Sequence, residues 1–275
     1  MAAVRFVRFS GLLVLVTLLG LLALSPSVGT LTSPRTSVRW APVSTWVPPN
    51  PTNAGKIFRW GNATWHDEFI APLSSQWSVN RPALVRNQHG MLTLDSAATG
   101  ADVVARLKGQ TRQYGRWEAR VRARQYATSG TPYRVVWELI PTDGYHCGAK
   151  TIELADFTLG TNVATMHLRN LPGTDSTDTL PLQLSDNEFH TFAVEVTPDH
   201  ISWFVDTKVI RTETRPQVLT GSPYAVRFRL ASTPGATMNR GRMQMDWARY
   251  YTLARPDAQP ITAPLPDLTS YAGAC

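Results

Sequence analysis

What most restricts this chain is the recurrence, from about residue 56 to about residue 252, of short segments in which apolar and polar residues alternate. Alternation places every second side chain on one face, as in a strand with one buried side. It is clearest in Gly115-Arg116-Trp117-Glu118-Ala119-Arg120-Val121-Arg122-Ala123, where Trp117, Ala119, Val121 and Ala123 face one way. The arginines and Glu118 face the other, which predicts a strand with one wet side. Residues 90–94, 103–107, 133–140, 150–157, 164–168, 189–196, 201–206, 225–231 and 242–251 read as further strands, and 56–60 and 209–210 as shorter ones. Asp206-Thr207 reads as a tight hairpin and 170–179 as a turn-rich connection. Strands every ~8–15 residues, separated by Gly, Pro and Asp turns and with almost no helical periodicity, predict an all-β antiparallel sandwich.

The flanks differ in kind. Residues 1–29 carry Arg5 and Arg8, an apolar run from residue 11 to 24 and the small-residue stretch Ser25-Pro26-Ser27-Val28-Gly29, which predicts a secretory signal. The run is shorter than the ~20 apolar residues that span a bilayer comfortably, so a membrane association is expected only if the segment stays uncleaved. The expected location is extracellular or in the cell envelope. Residues 30–55, with Pro34, Pro42, Pro48, Pro49 and Pro51, read as a linker, residues 56–254 as one folded domain, and the proline-rich residues 255–275 as an extended or loosely packed tail.

Composition removes several classes of function. Charged residues make up only 17% against 43% hydrophobic, so a large core is available. The formal charge of +7 falls to +5 once the signal and its two arginines are removed, and Arg106, Arg112, Arg116, Arg120, Arg122 and Arg124 are scattered rather than gathered, so no nucleic-acid partner is expected. There is no Gly-x-Ser-x-Gly elbow, phosphate loop, Cys-x-x-Cys or His-Glu-x-x-His, and the six histidines occur singly. Acyl transfer, nucleotide chemistry and a metal site of sequence-local ligands lose ground, and neither cofactor nor metal is expected. Cys147 and Cys275 permit one disulfide in an oxidising compartment, or two separate thiols.

One strand carries an irregularity with chemical content. In Lys150-Thr151-Ile152-Glu153-Leu154-Ala155-Asp156-Phe157, Thr151 and Glu153 share a face, but Ala155 stands where a polar residue is due and Asp156 follows one place late. An extra bulge residue would return Asp156 to the face of Glu153, so that two carboxylates point the same way. Two solvated acids would give the same pattern.

Several motifs in order resemble glycoside hydrolase family 16, the laminarinase and lichenase group: Asp67-Glu68-Phe69, Tyr114-Gly115-Arg116-Trp117-Glu118-Ala119-Arg120-Val121, Phe189-His190-Thr191-Phe192-Ala193-Val194-Glu195-Val196, Trp203-Phe204-Val205-Asp206 and Met245-Asp246-Trp247-Ala248-Arg249-Tyr250-Tyr251. The resemblance implies a concanavalin A-like β-jelly roll with a concave glycan-binding face. It also implies a catalytic strand of pattern Glu-x-Asp-x-x-Glu, whose outer acids are nucleophile and general acid/base. Here Thr151, Glu153 and Asp156 occupy those positions. Thr151 has no carboxylate and no adjacent base to activate it, and Asp156 is one methylene short of Glu, where a shift of about 1 Å can lower a rate ~10²-fold.

Three readings stay open: a secreted polysaccharide-binding protein with impaired or altered catalysis, an active hydrolase or transglycosidase on a β-glucan, galactan or wall glycan using Glu153 and Asp156, and a structural envelope domain. Glu138, set in the apolar Val136-Trp137-Glu138-Leu139, could supply a missing carboxylate or face solvent. His167 is a candidate for sugar contact or a satisfied sheet histidine. Trp137 and Trp247 could stack on sugars or fill the core, whereas Trp117 and Trp203 are expected in the core. The expected partner is a polysaccharide or cell-wall glycan, and the expected state is a monomer.

Overall fold

The computed structural model describes residues 53–96, 100–144, 150–170, 173–255 and 258–270. The expected signal segment, most of the expected linker and both Cys147 and Cys275 lie outside these residues. With strands numbered in chain order, sheet I runs β13 (Lys208–Glu213), β12 (Ile201–Val205), β11 (His190–Val196), β6 (Gly115–Gln125), β15 (Gly241–Tyr251), β4 (Leu92–Asp95), β3 (Val85–Asn87), with β1 (Trp65–Asp67) also on β15. Sheet II runs β16 (Asp267–Ser270), β10 (Thr174–Pro181), β9 (Val163–Asn170), β8 (Ile152–Thr158), β7 (Arg134–Pro141), β14 (Tyr224–Ala231), β5 (Val103–Leu107), β2 (Trp77–Val79). All pairings within the sheets are antiparallel.

The two sheets stack because their alternating strands each leave one apolar face, and burying those faces against each other removes both from water. Trp117, Val121, Phe192, Val194 and Met245 come from sheet I, and Trp137, Ile152, Phe157, Leu168 and Phe228 from sheet II. Trp117 and Trp203 lie in this core as expected. Gly115 opens β6 at φ 141, and a Cβ there would lie 2.3 Å from the Tyr250 ring, so the Tyr-Gly-Arg start of the strand needs glycine.

Four expectations are corrected. Residues 56–60 do not form a strand; Asn53 caps a short helix, α1 (Ala54–Ile57), its Oδ1 accepting the Lys56 N–H at 3.0 Å. The polar side of β6 is not wet at this end. Trp60 packs edge-on to Phe204 and Tyr251 there, and with Ala54 and Ala193 they form a small second core that leaves Glu118 fully buried. Residues 174–181, read as part of a turn-rich connection, are β10. Their threonines suit an extended chain once β9 and β16 supply ladders on both sides. The tail is extended at β16 but not loose: Thr212 donates its N–H to the Pro264 carbonyl at 3.0 Å, Arg215 donates to the Pro266 carbonyl at 2.8 Å, and β16 closes the edge of β10.

Candidate functional site

The irregular strand β8 supplies the site. Trp137 on β7 lies opposite Ala155 and Glu138 opposite Glu153, so Leu154 has no partner of its own and the ladder shifts there. On the other side Glu153 faces His167 and Asp156 faces Thr165, again with a shift between them. Leu154 and Ala155 therefore both point into the core, and Asp156 returns to the outer face beside Glu153. The bulge leaves a main-chain carbonyl at Glu153 that the indole N–H of Trp203, reaching across the core from sheet I, satisfies at 3.2 Å.

Four strands converge on these two acids. Glu138 stands directly across from Glu153, and each is only 1% exposed although both lie on the outer face of sheet II. Arginine stems cover them. Arg227 Nε donates to Glu138 Oε1 at 2.8 Å and Arg229 Nε to the same oxygen at 3.2 Å. Arg169 donates to Glu153 Oε1. Arg134 donates twice to Asp156, from Nε to Oδ1 at 2.9 Å and from a terminal nitrogen to Oδ2. His167 Nδ1 meets Asp175 at 2.9 and 3.1 Å, which fixes the ring with Nε2 4.0 Å from Glu153 Oε2. That Glu153 oxygen has no hydrogen-bond partner among the described residues.

The charge state of Glu153 follows from this enclosure. Burial, then repulsion from Glu138, pushes its carboxyl up to about 7 against the attraction of Arg169. Glu153 can therefore hold a proton near neutrality. One ligand atom from each of Glu153, Asp156 and His167 lies within 4.8 Å of the others, a spacing a metal ion could bridge. Arg134 and Arg169 already balance the two carboxylates, which works against a cation there.

The residues singled out from sequence distribute unevenly. Glu138, Glu153, Asp156 and His167 come together on one face, and Thr151, buried just before β8, precedes Glu153 by two positions. The two candidate sugar-stacking tryptophans do not join them. Trp137 is 1% exposed and packs on Phe228 in the core, because the period of β7 turns it opposite to Glu138. Trp247 lies in sheet I, opposite Arg120, buried beneath the Arg249 guanidinium 4.0 Å above its ring. Neither ring presents a free face to a sugar. Sequence reasoning missed Asp175 and the arginines Arg134, Arg169, Arg227 and Arg229. The alternation of Arg227 and Arg229 with Val226, Phe228 and Leu230 was a readable signal of a polar face.

Residues 73–249 match the family model described as glycosyl hydrolases family 16. No curated protein matches the sequence. Among solved structures, the laminarinase of Rhodothermus marinus is 18% identical with a TM-score of 0.57, over 70% of this chain and 97% of that one. The endo-β-1,3-glucanase of Pyrococcus furiosus is 14% identical with a TM-score of 0.58, over 70% and 94%. SCLam, a non-specific endo-β-1,3(4)-glucanase, is 16% identical with a TM-score of 0.57, over 70% and 91%. At these identities the likeness speaks for the fold.

Proposed function

This chain belongs to glycosyl hydrolase family 16, and we propose that within that family it is an exported polysaccharide-binding protein that does not hydrolyse by the usual two-carboxylate route. The observation that carries the reading is the two-bond grip of Arg134 on Asp156. Retaining hydrolysis needs a protonated carboxylic acid beside the leaving oxygen and a second carboxylate ~5–5.5 Å away to attack the sugar. Asp156 stands where the resemblance puts the acid, but both its oxygens accept from one guanidinium, so Arg134 occupies the carboxylate that would have to meet the leaving oxygen. Thr151 stands where the nucleophile belongs and carries no carboxylate. Glu138, the other carboxylate at hand, is held by Arg227 and Arg229, which both donate to its Oε1.

The ligand class that fits is a β-1,3- or mixed-linkage glucan, with galactans and wall glycans as further members of the panel. The polar outer face of sheet II offers arginine N–H donors to sugar hydroxyls. Residues 1–29 have the composition of an export signal, which supports action outside the cell.

A second reading draws on Glu153 itself. A carboxyl at about 7 suits a general acid at neutral pH, and Asp156 close by could attack, with the two roles inverted along the strand. Measuring binding and new reducing ends on the glycan panel, with Glu153→Gln and Asp156→Asn alongside, separates the two. Binding without cleavage is expected. Cleavage by the unaltered protein that either substitution abolishes would establish the inverted enzyme instead.

A further inference from the structure

On the opposite side of the sandwich, the outer face of sheet I away from Trp60 holds a row of arginines. Arg120, Arg122 and Arg124 alternate along β6 with the core residues Val121 and Ala123, and Arg242 on β15 lies across from Arg124. The three on β6 are two strand residues apart, about 6–7 Å, and Arg242 extends the row sideways across the ladder. Arg120 has an acid, Asp246, at 2.8 Å. Among the described residues no carboxylate comes within ion-pair distance of Arg122, Arg124 or Arg242; Arg122 makes do with Gln244 at 3.0 Å and the Met91 sulfur.

Like charges at this spacing repel unless something neutralises them. Burial, then Arg242 and later Arg120, disfavour the charge on Arg122, and Asp246, already paired with Arg120, offsets them only in part. Two aromatic rings hold the row in place instead. Phe189 lies 4.2 Å from the Arg120 guanidinium and 4.5 Å from that of Arg122, and Tyr126 lies 5.4 and 5.3 Å from those of Arg124 and Arg242. Stacking fixes a guanidinium without using its N–H donors in hydrogen bonds. Arg242 Nε is enclosed and has no acceptor.

We propose that this row is a second binding site, for an anionic polysaccharide whose carboxylate or sulfate groups pair with Arg122, Arg124 and Arg242. Repeated oxyanions along one chain match arginines spaced along β6 and across to β15, and each planar guanidinium can hold an oxyanion by two bonds. A single-stranded nucleic acid is the poorer match, because it would need open ring faces for its bases, and both rings here carry guanidinium groups. The site does not depend on what the outer face of sheet II binds or cleaves.

Affinity electrophoresis of the full chain through polygalacturonate, and separately through a sulfated glucan, tests the site and distinguishes the two anions. Retardation is expected at about 0.01 M ionic strength and its loss near 1 M, where charges are screened beyond ~3 Å. Arg122→Gln with Arg242→Gln should weaken retention roughly tenfold or more, the scale of a lost charged hydrogen bond. Lys56→Gln with Arg59→Gln, an equal loss of exposed charge on α1 and just after it, should leave retention unchanged. If the first pair loses the circular dichroism of the fold, the exposed Arg124→Gln carries the test with a smaller loss. No retention of the unaltered protein, equal losses in the two double variants, or tighter binding of single-stranded DNA than of either polymer would each overturn the proposal.

Discussion

Trp203, a core residue of sheet I, donates its indole N–H to the main-chain oxygen of Glu153 at 3.2 Å, so the bulge that presents the candidate acids is held from the far side of the sandwich. Replacing Trp203 by Phe keeps most of the ring and removes the donor. A buried carbonyl left without a partner destabilises by about 1–3 kcal/mol. Urea denaturation of Trp203→Phe should show a loss of that size. If stability is unchanged, the bulge does not rely on this bond.

Arg134 and Asp156 should behave as one unit. Removing the guanidinium in Arg134→Met leaves a nearly buried carboxylate unpaired, but Arg134 is itself half-exposed, so the expected loss is about 1–2 kcal/mol at neutral pH, below the 3–5 of a fully buried pair. Asp156→Asn in the same chain should recover part of it. A double-mutant cycle whose coupling is near zero would show that the pair contributes nothing to the fold.

Trp137 separates core from sugar contact in a direct way. As a core residue, Trp137→Ala should cost about 3–5 kcal/mol. A variant that keeps its thermal midpoint but loses glycan binding would move Trp137 into the binding face after all.

Glu118 gives the pH prediction. Burial pushes its carboxyl up to about 7 although the Gly55 N–H and the Tyr251 hydroxyl, each 3.1 Å away, favour the charged form. The folded value exceeds the unfolded one of 4.5, so folding favours the protonated group. Its contribution is fullest below pH 4.5 and is lost as pH rises through about 7, by about 3 kcal/mol in all at 1.36 kcal/mol per unit. Glu118→Gln should therefore flatten the fall in stability over that window, read from denaturant midpoints at several pH values. A fall of equal steepness in the variant would assign the titration to another group.

Much of the sandwich was legible before any coordinates, and for a local reason. Strand period and turn residues are properties of neighbours in sequence, and Gly115-Arg116-Trp117-Glu118 or Asp206-Thr207 announces its conformation within a few positions. The bulge at Leu154-Ala155 was legible on the same grounds, as a break in an otherwise regular alternation. Elements that rely on partners were not. Residues 174–181 have too few apolar residues to look like a strand, and become one because β9 and β16 flank them. Residues 56–60 read as a short strand, yet Asn53 caps a helix over residues 54–57 and Trp60 packs on Phe204.

By itself, the sequence determined which side chains each strand turns inward and outward, that a bulge brings Glu153 and Asp156 to one face, and that Thr151 stands two places before Glu153, where the family resemblance would put an acid. Only the tertiary structure decided the electrostatics of that face. Arg134, Arg169, Arg227 and Arg229 come from three different strands, and Glu138 meets Glu153 across a strand boundary. Charge interactions depend on distance through space and on the depth of burial, neither of which is a property of spacing along the chain.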